Sequence, residues 1–178
     1  NPRTSKGRDV ALATAAALPS RPFLFVAAQP LPPAERTALA AGRRACPNVT
    51  VRGPVRDMRA VYARTAVLLV PSQCDDASPR VVLEAHANGI PVVASDAGGI
   101  PEVSGGASVL LPRDASPARW AAEVERCLSD PLARATAAER SRRNAARPAW
   151  GADAVVDAFL RLATAAPVAE APAPTVAP

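Results

Sequence analysis

The sequence predicts an α/β protein built on a Rossmann-like, doubly wound parallel sheet, and three observations carry that expectation. Five short aliphatic runs recur along the chain, each closed by Gly, Pro or a polar turn. Stretches with helical spacing lie between them, so strand and helix alternate. Of the 178 residues, 49% are hydrophobic but only 3% are aromatic, which suits buried parallel strands made of Val, Leu and Ile. The length fits one domain with a real core.

Each element has a local reason. "NPRTSKGRDV" reads as a loop entering a helix over residues 7–18, with no strand before it. A sheet of this type normally opens on a strand, so the first strand is expected to be truncated or to lie upstream. "PFLFVAA" (22–28) is then a strand, followed by a helix over 33–44. "VTVRG" (49–53) and a helix over 56–64 repeat the unit, as do "AVLLVP" (66–71) and a helix over 79–88. That last helix has Ser78 as N-cap, Pro79 at its first position and Gly89 as its stop. "IPVVAS" (90–95) and "SVLLP" (108–112) complete the strands, and the alternation implies right-handed crossovers. Ser116 and Pro117 open a further helix, and two more are expected over 132–146 and 151–163. The domain is expected to span 1–164, and the Ala/Pro-rich tail, 165–178, to be disordered because it can bury little.

Several functions are excluded early. The net charge of +5 could suggest nucleic acid, but the arginines are scattered. The densest group, "ERSRRNAAR" (139–147), sits in a predicted helix and reads as a solvated face. Aromatics interleaved with charge, as base stacking needs, are missing, so no nucleic-acid partner is expected. Cys46, Cys74 and Cys127 are far apart with no C-x-x-C pair, which argues against a zinc site or disulfides and fits a reducing, cytoplasmic compartment. His86 is the only histidine, so neither a catalytic triad nor a multi-histidine metal site can be assembled. No apolar run approaches the ~20 residues that span a bilayer, and the start lacks a signal-peptide pattern. Any membrane contact is expected to be peripheral.

The chemistry concentrates in "DDASPRVVLEAHANGIPVVASDAGG", residues 75–99. The helix predicted after "AVLLVP" starts at the carboxyl end of a strand, where ligands bind in open parallel sheets. Its unpaired N–H groups and partial positive charge suit a phosphate. Asp76 lies in the loop before this helix and Glu84 about one and a half turns inside it. A carboxylate accepts two hydrogen bonds at once and so can hold vicinal hydroxyls. Two ordinary surface carboxylates would give the same spacing. The surroundings favour instead polyol recognition at two places with phosphate recognition between them, which describes a sugar nucleotide.

"VPSQCDDASPRVVLEAHANGIPVVASDAGGIPEV" resembles the donor-binding signature of group 1 (family 4) glycosyltransferases of the GT-B architecture. The family's acidic-x7-Glu pair corresponds to Asp76 and Glu84, and its later motifs to "EAHANGIPVVAS" and "GGIPE". A weaker likeness covers roughly residues 1–150, with "NPRTSKGRD" similar to the lysine-glycine loop that opens the family's C-terminal domain. The resemblance implies that this chain is the C-terminal, donor-binding domain and that an N-terminal GT-B domain binds the acceptor, whose nature is unknown. It implies metal-free transfer from a UDP- or GDP-linked sugar, mostly with retention, and no cofactor beyond that substrate.

Carried over by position, Glu84 would hold the ribose hydroxyls, Asp76 would contact the donor sugar, and Lys6 would pair with the diphosphate. Gly98 and Gly99 would let backbone approach the donor. Backbone N–H groups near Pro79 to Val82 would complete the phosphate site, to which Ser78, Arg80 and Val81 are also assigned. Lys6 and Asp76 are thus the catalytic candidates. The chain departs from the family in having Asp rather than Glu at 76, and Asn1 where an arginine is common. Arg3 or Arg8 could replace that arginine, and Arg80 could contact phosphate or lie on the helix surface.

The remaining candidates read more plainly. His86 is expected to pack on its helix, Trp120 and Trp150 to anchor the core or an interdomain contact, and Cys74 to be a passive buried thiol. Glu102 is either a helix-start or a cleft carboxylate, with the cleft preferred. A nucleotide-sugar epimerase of the same architecture would need cleft histidines, and a non-catalytic nucleotide-sugar-binding module would fail to hydrolyse donor.

Overall fold

The structure, a computed structural model, describes residues 2–164. All five expected strands form in shortened versions: β1 Phe23–Val26, β2 Val49–Arg52, β3 Leu68–Val70, β4 Val92–Ser95 and β5 Val109–Leu111. Every ladder is parallel. Phe23 lies opposite Val49, Leu68 opposite Val92, and Val93 opposite Val109. The fold is therefore the expected Rossmann-like α/β type, with one difference. The strands form two sheets, β1-β2 and β3-β4-β5, and no ladder joins β1 to β3. A 3-10 turn, Thr4–Lys6, and not a strand, precedes the first helix.

The helices are α1 Arg8–Ala17, α2 Pro33–Arg44, α3 Arg59–Tyr62, α4 Arg80–Ala87, α5 Ile100–Ser104, α6 Pro117–Ser129, α7 Pro131–Ala145 and α8 Ala152–Thr164. α3 is much shorter than the expected 56–64. The Asp57 carboxylate accepts the Arg59 N–H at 3.0 Å and so starts the helix late, and the chain leaves it after one turn. α5 is signalled in the sequence only by the helix-start reading of Glu102, because five residues are too few for a periodic signal. α6 opens as expected, its Ser116 hydroxyl accepting the Arg119 N–H at 3.3 Å. Asp130 caps α7 by accepting the N–H groups of Leu132 and Ala133, each at 2.9 Å.

β4 is paired on both edges and all four of its residues are buried, which explains its uninterrupted apolar character. Two hydrophobic clusters flank the break in the sheet. One joins Leu12, Ala15, Leu39 and Val49 with Phe23 and Phe25. The other joins Val93, Leu111, Trp120, Val124 and Cys127 with Val10, Leu18 and Leu69. α1 contributes to both, so this one helix ties the two sheets together. Trp120 is fully buried, in keeping with its expected anchoring role.

The chain divides into two compact units, Asn1–Ala146 and Arg147–Pro178. The first holds all strands and α1 to α7. In the described part of the second, the Arg147 guanidinium sits 5.6 Å from the centre of the Trp150 ring, ahead of α8. The Ala/Pro tail expected to be disordered lies outside the described residues.

Candidate functional site

The carboxyl ends of β3 and β4 and the turn before α1 meet in one place. The Gln73 N–H donates to the Ser5 carbonyl at 2.9 Å, docking the turn onto the end of β3. Gly7 makes this approach possible. Its φ is +74°, and a Cβ there would lie 1.8 Å from the Pro71 carbonyl oxygen. The docking brings together two groups that are 70 residues apart: the Lys6 ammonium pairs with Asp76 Oδ1. Asp76 Oδ2 accepts a hydrogen bond from the Ser72 hydroxyl at 3.2 Å. Ser72 is buried, while the Lys6 and Asp76 side chains remain 36% and 25% exposed, so the pair is open to a ligand.

The glycine pair after β4 makes a close approach within the chain itself. The Gly99 N–H donates to the Asp76 carbonyl at 2.7 Å. A Cβ on Gly98 would come within 2.8 Å of the Asp76 backbone, and one on Gly99 within 2.0 Å of the Ala77 carbonyl oxygen. The close approach that requires glycine is to the chain's own 75–77 loop. The two glycines hold the loop that carries Asp76.

The start of α4 also differs by one step. The helix opens at Arg80, and Pro79, with ψ of 90°, is its N-cap. Ser78 is exposed and makes no capping bond. The cause is Pro79, whose ring disfavours helical geometry in the residue before it, so Ser78 is held outside the helix. The ladder begins with the Val82 N–H on the Pro79 carbonyl at 2.9 Å. The N–H groups of Arg80 and Val81 find no acceptor among the described residues. The phosphate-seeking end of the helix is thus free although its expected cap is not used. Arg80 is exposed and Val81 half-buried.

Glu84 lies on the exposed side of α4, and its Oε2 accepts a hydrogen bond from the Tyr62 hydroxyl at 2.5 Å. Tyr62 is only 8% exposed. Its burial, then the hydrogen bond to Glu84 and that group's charge, hold its phenol well above the ordinary tyrosine pKa. No side-chain contact links Glu84 to Asp76 among the described residues, so the two carboxylates belong to separate networks.

Other candidates settle clearly. Arg8 is buried and paired with Asp9 and Glu35, which commits it to α1 and α2. Arg3 Nε is buried with no hydrogen-bond partner. Cys74 is half-exposed, not buried, because it sits in the loop beside Ser72. Glu102 occupies the exposed first turn of α5. His86 is fully buried. Its Nδ1 accepts from the Asn144 amide at 2.9 Å, and that amide also donates to the Val103 carbonyl at 2.8 Å. Nε2 therefore carries the proton and donates to Ser108 Oγ at 3.2 Å. A buried, doubly bonded imidazole is no cleft acid or base, which removes the footing for an epimerase.

Two hollows in the first unit lie elsewhere. One is lined by Ile90, Arg134 and Arg142, the other by Ser108, Arg126 and Arg140, and neither includes Lys6, Asp76 or Glu84. Among the described residues no three potential metal ligands gather, and no helix is long and apolar enough to cross a membrane. The sequence reasoning missed Ser72 and Tyr62. Ser72 precedes Asp76 closely enough to have been suspected, whereas Tyr62 reaches Glu84 only through packing between helices.

A parallel α/β domain whose strand ends gather a lysine, an aspartate and a free helix start belongs among the GT-B glycosyltransferase folds. The family model for glycosyl transferases group 1 matches residues 2–130, and the chain belongs to that family. Relatives include D-inositol 3-phosphate glycosyltransferases. That of Corynebacterium kroppenstedtii is 32% identical over 102 residues, 57% of this chain and 22% of the relative. That of Salinispora arenicola is 38% identical over 95 residues, 53% of this chain and 21% of the relative. The matched part of the chain thus spans about a fifth of the length of these relatives. Among solved structures, a glycosyltransferase from Rickettsia africae superposes with a TM-score of 0.78 at 17% identity, covering 89% of this chain and 44% of that one. HepE of Anabaena, in complex with UDP and glucose, gives 0.76 at 22% identity, covering 90% and 45%.

Proposed function

We propose that this chain supplies the donor-binding half of a glycosyltransferase. The enzyme moves a glycosyl group from a UDP- or GDP-linked sugar to an acceptor held by a second, N-terminal half. The reading rests chiefly on Lys6 standing against Asp76 at the carboxyl end of β3, one loop away from the free N-terminus of α4. The donor diphosphate lies between them. Its developing negative charge, as the glycosidic bond breaks, is met by the Lys6 ammonium and by the N–H groups of Arg80 and Val81. Asp76 faces the sugar and Glu84 the ribose hydroxyls. No step needs a metal, and transfer proceeds with retention. The likeness to HepE, which was solved with UDP and glucose, supports a nucleotide-sugar donor. Glu84 and Arg80 are exposed in this half, so their assigned roles require the second half to close the cleft over them. Free cysteines agree with a cytoplasmic location.

Calorimetric titration of the chain with UDP and with GDP tests the assignment. Glu84→Ala removes a charged acceptor for two hydroxyls and is expected to weaken the tighter nucleotide about 100-fold or more, since hydrogen bonds to charged groups are worth about 1.5–3 kcal/mol each. Unchanged affinity refutes the ribose role.

A further inference from the structure

We propose that Tyr62 is a positioning residue for Glu84, fixing the carboxylate so that its remaining lone pairs face the ribose hydroxyls of the bound nucleotide. The inference rests on the ribose role assigned above. A glutamate on the exposed face of a helix samples many rotamers, and ordering it on binding costs entropy. Glu84 has an anchor that removes this freedom. The Tyr62 ring is buried, and its backbone is held by the N–H bond to Met58 at 2.9 Å and by the Thr65 N–H on its own carbonyl at 3.0 Å. Its hydroxyl therefore projects from a fixed point. The 2.5 Å contact to Oε2 lies in the range of a charge-assisted O–H···O bond.

Among the described residues, Tyr62 is the one side chain that bonds the Glu84 carboxylate, and no arginine or lysine lies within ion-pair distance of it. A cation there would compete with the ribose by neutralising the acceptor. A phenol orients the carboxylate and leaves its charge intact. Because the phenol resists ionisation in this setting, it remains a donor throughout the physiological range. Oε1 and the second lone pair of Oε2 stay free for two hydroxyls.

The test uses Tyr62→Phe, which keeps the ring and deletes the hydroxyl, with its fold checked by circular dichroism. UDP and GDP are titrated alongside their 2′,3′-dideoxy analogues. The variant is expected to bind the ribonucleotide about tenfold more weakly and the dideoxy analogue as tightly as the parent chain does. It is also expected to lose nothing further in a Glu84→Ala background. Equal weakening of ribo and dideoxy ligands would mean a purely structural tyrosine and overturns the proposal, as does additivity with Glu84→Ala. If Glu84→Ala itself leaves ribo-over-dideoxy preference intact, the ribose assignment fails first and takes the proposal with it. Tyr62 is the chain's single tyrosine, so uniform 3-fluorotyrosine labelling gives one fluorine signal without any substitution. That signal is expected to shift on adding the ribonucleotide and not the dideoxy analogue. A silent signal overturns the proposal even if the phenylalanine variant does not fold.

Discussion

Acidification is expected to loosen this domain through one buried ring. His86 is fully enclosed, and its Nδ1 faces an amide that already donates both of its hydrogens. A second proton there would confront a donor, and no solvent can reach it. Burial lowers the His86 pKa from 6.5 to about 4. The unfolded chain takes up a proton near pH 6.5, whereas the folded chain does not until near 4. Stability is therefore fully present above pH 6.5, falls as the pH drops through the window down to 4, and levels off below it. The gap corresponds to about 3 kcal/mol in all, of which about 2 kcal/mol is gone at pH 5. Set against a typical stability of roughly 5–15 kcal/mol, that is a large share. The assay is urea unfolding followed by Trp120 fluorescence in a Trp150→Phe background, repeated between pH 7.5 and 4.5. With a single histidine in the chain, no other side chain of ordinary pKa titrates in the upper part of this range. His86→Gln, which can still bond both neighbours, is expected to remove the slope above pH 5. Equal stability of the parent chain at pH 7 and 5, or the same slope in His86→Gln, refutes the reasoning.

Two further outcomes follow from the site. Lys6→Ala is expected to lower donor hydrolysis or transfer about 100-fold or more while weakening UDP or GDP binding far less, because the ammonium meets charge that develops only as the bond breaks; the reverse ranking, read from turnover and calorimetry, counts against a leaving-group role. Gly99→Ala places a Cβ 2.0 Å from the Ala77 carbonyl oxygen and must displace the loop carrying Asp76, so a loss of about 1–3 kcal/mol in thermal unfolding is expected together with weakened donor binding.

The strands were legible because each carries its own signal: an aliphatic run bounded by a breaker. The helix boundaries were less so. Ser78 followed by Pro79 reads as a cap and a first turn, yet the proline's own effect on its predecessor shifts the start to Arg80. Local preference gave two good answers there, and the steric one prevailed. The break between β1 and β3 was not legible, since pairing depends on which strands come side by side and not on what each contains. At the candidate site, the spacing of Asp76 and Glu84 singled out both acids. It gave no hint that Lys6 would sit on one and Tyr62 on the other, because those contacts span 70 and 22 residues. The glycine pair was noticed for tight approach, and the neighbour that comes close within the chain is its own 75–77 loop. Glycine at a turn says that something comes close and leaves open what does.

The interrupted sheet has a consequence for handling the molecule. β1 and β3 each show a row of peptide N–H and C=O groups toward the seam that no ladder uses among the described residues. Such a border is a template for any extended segment of similar character, including the same border on another copy. Half-buried side chains line both strands, Phe and Val in β1 and Leu and Val in β3, so a short apolar peptide that pairs with either border is expected to raise the unfolding temperature.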